Sequence, residues 1–167
     1  MKRLKTIFCL VLCALILSSC GRRTPEFLSP VNFYYCNKTV SYHSPTGVIS
    51  SEVRESSGFE NDINGFMINY LQGPVTDELY TIVPANTVLR SAKVQGTVAQ
   101  ICFSKEFAEL SGIDLTTASI CLAKSLNEFM GVEWVIITAE DSLLDEKKSF
   151  TISMKEIVTM DAVTEEE

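Results

Sequence analysis

The side chains that could do chemistry are few and scattered along the sequence. The only histidine, His43, lies beside Ser44-Pro45 in a segment of turn-forming residues, and no cysteine or aspartate stands near it in sequence to support a triad. The common phosphate-binding, serine-nucleophile and zinc-protease motifs are missing. The segment Asp141 to Asp145 (DSLLD) lacks the glycine and the spaced oxygen ligands of a calcium loop. The sequence therefore indicates no catalytic residue, no metal site and no cofactor.

Glu52 and Arg54 are the one charged pair whose spacing suggests a fixed relationship. Residues two apart in a strand share a face, so we expect these side chains to meet. A surface charge pair is the simpler interpretation, and a catalytic role for Glu52 the weaker one. Carboxylates far apart in sequence can still converge in space, so a cell-wall hydrolase stays open as one hypothesis for the function.

The first nineteen residues have the composition of an export signal. Lys2, Arg3 and Lys5 make a basic start, and Thr6 to Leu17 is apolar without charge, Gly or Pro. These twelve residues would rise about 18 Å as a helix, well short of the ~20 residues that a bilayer core requires. The segment is therefore predicted to be a signal peptide (residues 1–19) and not a transmembrane span.

Cys20 closes this segment in a recognisable pattern. Leu17-Ser18-Ser19-Cys20 resembles the lipobox of bacterial lipoproteins, with an aliphatic residue, two small residues and the cysteine. The resemblance implies cleavage before Cys20, a diacylglyceryl group on its thiol and anchoring at the outer face of a membrane. Two acyl chains are reasonable physically, because one chain alone holds only marginally. The alternative is an ordinary signal peptide with an incidental thiol at Cys20, which the position of the cysteine disfavours.

The charge balance of the mature chain limits its partners. Removing residues 1–19 takes the formal net charge from −7 to −10. Such a charge disfavours nucleic acid and gives no polybasic contact with anionic lipid. Arg22 and Arg23, beside the anchor, are the exception.

Three cysteines, Cys36, Cys102 and Cys121, lie beyond the anchor. Neither CxxC nor a Cys/His pairing is present, so zinc spacing is missing. Export permits one disulfide among the three. Each lies in an apolar setting, however, and a buried free thiol is the favoured interpretation.

Turn residues and hydrophobic periodicity divide the remaining sequence into elements. Residues 20–30 form a short tether, and residues 139–167 form a C-terminal extension with an acidic tail. Strands are predicted at 31–36, 48–55, 88–94, 98–103 and 132–139, with an edge strand near 150–154. One helix is predicted from about residue 60 to residue 72, ended by Gly73-Pro74, and a short helical turn after Ser104. A longer helix, with Asp114 as its N-cap, runs to Met130 and ends at Gly131.

The order of these elements predicts an α+β fold, a mixed sheet with two main helices packed on one face. The segment Val132 to Ala139 is the most uniformly apolar strand and is placed centrally in the sheet. Phe66, Met67 and Phe129 lie on the apolar stripes of the two helices, so we expect them to be packing residues.

The ordered pieces resemble the GerM domain, a small extracytoplasmic module of spore-forming and related bacteria. The resemblance covers residues 31–138. It is carried by Phe33-Tyr34-Tyr35, Glu52-Val53-Arg54, Leu71-Gln72-Gly73-Pro74, residues 82–87 (IVPANT), residues 98–107 (VAQICFSKEF), and Leu126 to Phe129 with Gly131 to Val135. Asn86 stands where the family usually has glycine, a substitution that asparagine tolerates because it adopts the left-handed conformation. The segment 139–141 replaces a Gly-containing hairpin, and the extension from Leu143 has no counterpart.

The resemblance implies a non-catalytic module of sporulation, germination or cell-envelope organisation. Its partners would be the membrane, through the lipid on Cys20, other envelope or sporulation proteins, and further copies of itself. An extracytoplasmic binding lipoprotein for a small ligand or peptidoglycan fragment is the alternative, and a deep pocket with convergent polar groups would be its sign.

Overall fold

Two α-helices and seven short strands make up the part of the chain that the structure describes. The computed structural model describes residues 30–40, 47–56, 59, 61–140 and 149–157. The strands are β1 (Pro30–Asn37), β2 (Ile49–Glu55), β3 (Leu79–Tyr80), β4 (Leu89–Gln95), β5 (Val98–Phe103), β6 (Trp134–Ala139) and β7 (Ser149–Ser153). The helices are α1 (Ile63–Leu71) and α2 (Gly112–Met130), with 3-10 turns at Lys105–Glu109 and Met154–Glu156. Neither helix is long and apolar enough to cross a membrane.

The strands form two sheets. One is antiparallel with the order β2-β1-β3, and the other has the order β4-β5-β6-β7. In the second sheet β5 and β6 run parallel, while the two outer pairs are antiparallel. The predicted α+β class is confirmed, and β6 lies inside its sheet as its apolar sequence indicated. The strands are divided between two sheets, however, where one mixed sheet was predicted. The helix α2 packs against β1, β6 and β7, and α1 packs against β4 and, through Phe66, against Phe33 of β1.

A helix prevents the two sheets from joining along β1. Beyond the two residues of β1 that pair with β3, the open edge of β1 faces α2. The Tyr34 N–H donates to Ser125 Oγ at 2.8 Å, and the same hydroxyl donates to the Cys121 carbonyl at 2.8 Å. A buried amide requires a partner, and the fully buried Ser125 supplies it. The helix thus takes the place at this edge that another strand would need.

The core between the helices and the first sheet is largely aromatic. The Phe66 ring stacks on Phe33 and on Phe129, with centroids 4.7 Å and 4.4 Å apart. Phe59 meets the Phe33 and Phe129 rings edge-on. Such geometry adds to the stabilisation from burial alone. Phe66 and Phe129 are therefore packing residues, as predicted.

Both helices begin at other residues than those predicted. Asp62 is the N-cap of α1, and its carboxylate accepts from the Asn64 N–H at 2.9 Å. The longer helix begins at Gly112 after Ser111, so Asp114 as its N-cap was wrong. Asp114 lies instead in the first turn, where a carboxylate complements the helix dipole.

The predicted turn positions have the expected backbone conformation. Gly73, Gly96 and Gly131 have φ of 81°, 60° and 66°, and Asn86 has φ of 70°. Positive φ strains residues with a Cβ, but asparagine adopts it more readily than most. The replacement of the family's glycine by Asn86 is therefore compatible with the turn.

Gly65 in α1 is predicted to be intolerant of a side chain. A Cβ at this position would lie 2.7 Å from Phe59 Cβ and 3.0 Å from Asp62 Oδ2. Phe59 would therefore have to shift within the aromatic core. Alanine favours a helix over glycine by about 1 kcal/mol. Nevertheless, we expect Gly65→Ala to lower the free energy of unfolding by about 1–3 kcal/mol in urea denaturation.

The matched control is Asn64→Ala, because Asn64 is the exposed neighbour of Gly65 in the same helical turn. Its free energy of unfolding should change by less than about 0.5 kcal/mol. A Gly65→Ala variant as stable as the wild type would show that Phe59 can shift without cost.

Candidate functional site

The predicted pair Glu52 and Arg54 lies on the inner face of β2. Arg54 Nε donates to Glu52 Oε1 at 2.6 Å, and Arg54 Nη2 makes a second contact with the same oxygen. Their pairing is as predicted, but their assignment to the surface was wrong. The Glu52 side chain is 6% exposed and that of Arg54 15%. The register places Glu52 opposite Phe33 in β1, on the face that packs towards α1.

Arg54 binds the C-terminal end of α1. Its Nη1 donates to the Asn69 carbonyl at 3.1 Å and its Nη2 to the Gly73 carbonyl at 2.5 Å. The guanidinium also lies 4.8 Å from the centroid of the Phe33 ring. The last carbonyls of a helix have no partner within the helix, and a cation there complements the helix dipole. Arg54 therefore joins β2 to the end of α1.

Glu52 binds the loop that follows α1. Its carboxylate accepts from the Val75 N–H at 3.0 Å and from the Thr76 N–H at 2.9 Å. Burial by itself would raise the pKa of Glu52, but the Thr76 and Val75 amides and the Arg54 guanidinium together lower it below its ordinary value. A carboxyl group with a lowered pKa and occupied oxygens is a poor general acid or base. The geometry thus indicates that Glu52 and Arg54 stabilise the fold by joining β2 to the end of α1 and to the loop after it.

Other residues considered in the sequence analysis lie outside the described residues. These are Cys20, His43 and the segment Asp141 to Asp145. Within the described residues, no cluster of three or more His, Cys, Asp or Glu side chains is arranged to hold a metal ion.

The three cysteines of the folded part are free thiols. Cys36 and Cys121 are buried, as expected, whereas Cys102 is half-buried. The Cys36 and Cys121 sulfurs lie 4.0 Å apart. This proximity could not be predicted from local patterns, because the two residues are 85 positions apart in different types of element.

Two surface clefts test the small-ligand alternative. An apolar cleft of about 200 Å³ lies between Phe107, Leu115, Ile137 and Phe150. A second cleft, of about 310 Å³, is lined mainly by polar side chains that include Asn32, Asn61 and Glu128. Ligand pockets are commonly about 300–1,000 Å³, mostly apolar, with a few convergent polar groups. Neither cleft combines these properties, so the geometry does not favour this alternative.

The outward side of the second sheet is an extended uncovered surface among the described residues. Along β4 to β7 the inward residues are largely buried, while the alternate outward residues are exposed or half-buried, apart from Ser153. We call this surface the open face, centred on Lys93, Gln95, Val98, Gln100, Trp134 and Ile136. Trp134 is 41% exposed. None of the outward residues is acidic, although the chain has 21 Asp and Glu. Aromatic residues and few charges are typical of the centre of a protein interface.

An α+β domain with two helices against two small sheets is the class that this architecture defines. The family model described as "Germane: Sporulation and spore germination" matches residues 32–145. The match spans more than half of the chain, which therefore belongs to this family. The resemblance to GerM domains seen in the sequence is thereby confirmed. No curated protein matches the chain.

Three solved structures are similar to this chain. A candidate lipoprotein from Clostridium perfringens has 19% identity and a TM-score of 0.46, over 77% of this chain and 89% of that one. The first GerMN domain of the Bacillus subtilis sporulation protein GerM has 18% identity and a TM-score of 0.49, over 72% and 89%. The tandem GerMN domains of the same protein have 19% identity and a TM-score of 0.49, over 74% and 43%.

Replacing the Glu52 carboxylate tests its structural role. Glu52→Gln leaves the Arg54 charge buried without its counter-ion, so we expect the free energy of unfolding at neutral pH to fall by about 2–4 kcal/mol. The matched control, Glu55→Gln, removes an exposed carboxylate from the same strand and should change it by less than about 0.5 kcal/mol.

The same variant should alter the dependence of stability on pH. Because folding lowers the pKa of Glu52 below 4.5, its stabilisation is complete above that value and is lost as the pH falls through the folded pKa. Between about pH 5 and pH 3 the wild type should therefore lose stability more steeply than Glu52→Gln. Parallel curves in urea titrations would contradict this role of Glu52.

Proposed function

We propose that this chain is an exported, lipid-anchored protein whose Germane domain is a non-catalytic interaction and assembly module. It acts in sporulation, germination or cell-envelope organisation. The observation that carries the proposal is the family match, which begins at residue 32 and so follows closely on the lipobox-like Leu17-Ser18-Ser19-Cys20.

The state of Glu52 and Arg54 supports a non-catalytic role. They are the charged pair that the sequence offered for acid–base work, and both are bound to backbone groups of α1 and its loop. A general base requires a free lone pair near a substrate proton. Both carboxylate oxygens of Glu52 accept hydrogen bonds, so this residue does not support a hydrolase in which it would be the general acid or base.

The open face supports an assembly role. A mature chain with a formal net charge of −10 repels its copies over most of its surface. The open face holds Lys93 and no acidic residue, so two copies can approach there with the least repulsion. Trp134 offers apolar area for such a contact. We therefore place self-association, or docking on another anchored envelope protein, at the open face.

The tether restricts where these contacts occur. Residues 20–30 span at most roughly 35–40 Å when extended, so the domain stays close to the membrane that holds Cys20. Partners within reach are other membrane-anchored proteins and copies of the same chain. Confinement raises their effective concentration, and weak contacts then suffice for assembly.

The anchor is tested by Cys20→Ser. The serine hydroxyl cannot receive the thioether-linked lipid, so we expect the chain to leave the membrane fraction while its folded domain keeps its circular dichroism spectrum. Fractionation of an expressing bacterium, followed by immunoblotting, measures the distribution. A processed Cys20→Ser chain that remains membrane-bound would refute the lipid anchor.

Assembly is tested by Gln100→Glu, which places a negative charge at the centre of the open face with little change in shape. Chemical cross-linking in membranes should yield multimers of the wild type and markedly fewer of this variant. Asn64→Asp adds the same charge at an exposed position of α1 and serves as the control. Equal yields for both variants would exclude the open face as the contact. A wild type without cross-linked products would count against self-assembly itself.

A further inference from the structure

Cys36 and Cys121 face one another across the junction of β1 and α2. Their sulfurs lie 4.0 Å apart, and both side chains are 2% exposed. A disulfide requires about 2.05 Å between the sulfurs and Cα atoms within about 7 Å. A change of rotamer at one cysteine moves its sulfur by roughly 2–3 Å, which is about the distance by which the two sulfurs must approach.

The segment that follows β3 covers the pair. A narrow crevice lined by Tyr80 to Val83 and by Ala118 leads to the two thiols and is too narrow to hold a water molecule. An oxidant therefore reaches the pair most easily before this segment closes over it, while the exported chain is folding. Cys102 lies in the other sheet, on its outward side, and is separated from this pair.

We infer that Cys36 and Cys121 are a disulfide-forming pair that closes after export, and that Cys102 remains a thiol. Each thiol gives up its proton to water, and the two electrons pass to the disulfide of an extracytoplasmic thiol oxidant. The Cys36 thiolate attacks that disulfide and forms a mixed disulfide, releasing one thiol of the oxidant. The Cys121 thiolate then attacks Cys36 Sγ, forms the internal bond and releases the second thiol.

The electrostatics of the pair favour this order of attack. The hydrogen bond between the two sulfurs lowers the pKa of Cys36, which burial opposes. The same hydrogen bond raises the pKa of Cys121, and burial raises it further. The thiolate is the reactive form of cysteine, so once the two sulfurs have met, the lowered pKa favours Cys36 as the attacking group in the first step.

Closing this bond would stabilise the junction between β1 and α2. The link joins β1 to α2 across 85 positions, near the place where Ser125 replaces a strand partner. Long loops lose the most chain entropy in the unfolded state when they are closed. We expect the oxidised protein to unfold at a temperature about 10 °C higher than the reduced protein.

The test uses the full chain, exported by a bacterial host and purified in detergent. One sample is unfolded and refolded with diamide and another with dithiothreitol, so that the reagent reaches the pair before the segment closes, and free thiols are then blocked with N-ethylmaleimide in denaturant. Peptide mass mapping of the oxidised sample should show a linked pair that contains Cys36 and Cys121, with Cys102 alkylated. Three alkylated cysteines after diamide, or a link through Cys102, would overturn the inference.

Alanine variants connect the link to stability. The difference in unfolding temperature between the two treatments should persist in Cys102→Ala and vanish in Cys36→Ala and Cys121→Ala. An equal difference in all variants would overturn the assignment of the shift to this pair. Should the last two variants fail to fold, the peptide map of the wild type and of Cys102→Ala decides alone.

Discussion

The Glu52–Arg54 pair is the interaction on which the first sheet, α1 and the loop after α1 depend together. At the end of α1 the Asn69 carbonyl accepts the Gln72 N–H and has a second lone pair available, and the loop after the helix brings amides into a half-buried space. The Arg54 guanidinium donates to the carbonyls of Asn69 and Gly73. The Glu52 carboxylate accepts from the amides of Val75 and Thr76. Each charge offsets the other, so neither can be removed without leaving its partner buried and unpaired. Strand, helix and loop are therefore held as one unit.

Local patterns predicted the elements of this fold well, because periodicity and turn residues act over a few positions. The apolar stripe that contains Phe66 and the glycines that end both helices are examples. The division into two sheets was not predictable in this way. It depends on the contact between the Tyr34 amide and Ser125, which are 91 positions apart. The strand β3 was missed because two residues, Leu79 and Tyr80, carry no periodicity.

At the candidate site, too, local patterns predicted contacts between near neighbours in sequence but not contacts with distant residues. The period of a strand predicted that Glu52 and Arg54 share a face, and they do. Their burial was not predictable, because their other partners are backbone groups that carry no residue signature. The resemblance to GerM domains named Glu52-x-Arg54 and Gly73-Pro74 as separate pieces. In the structure Arg54 binds the Gly73 carbonyl, so both pieces belong to the same contact between β2 and the end of α1. Cys20 and His43 lie outside the described residues, and the lipid on Cys20 stays a prediction.

In the function that we propose, the lipid anchor and the open face act together against charge repulsion between copies. Removal of residues 1–19 would take the formal net charge from −7 to −10, which would keep copies apart in solution and oppose premature association. The open face, with few charges, would bind weakly by itself, since much of its polar surface must be desolvated. In this proposal, confinement by a short lipidated tether replaces diffusion in three dimensions by encounter in two, and it limits how far each domain can move from the membrane. A contact too weak to act in solution can then act at the membrane, so the assembly that we propose is conditional on anchoring.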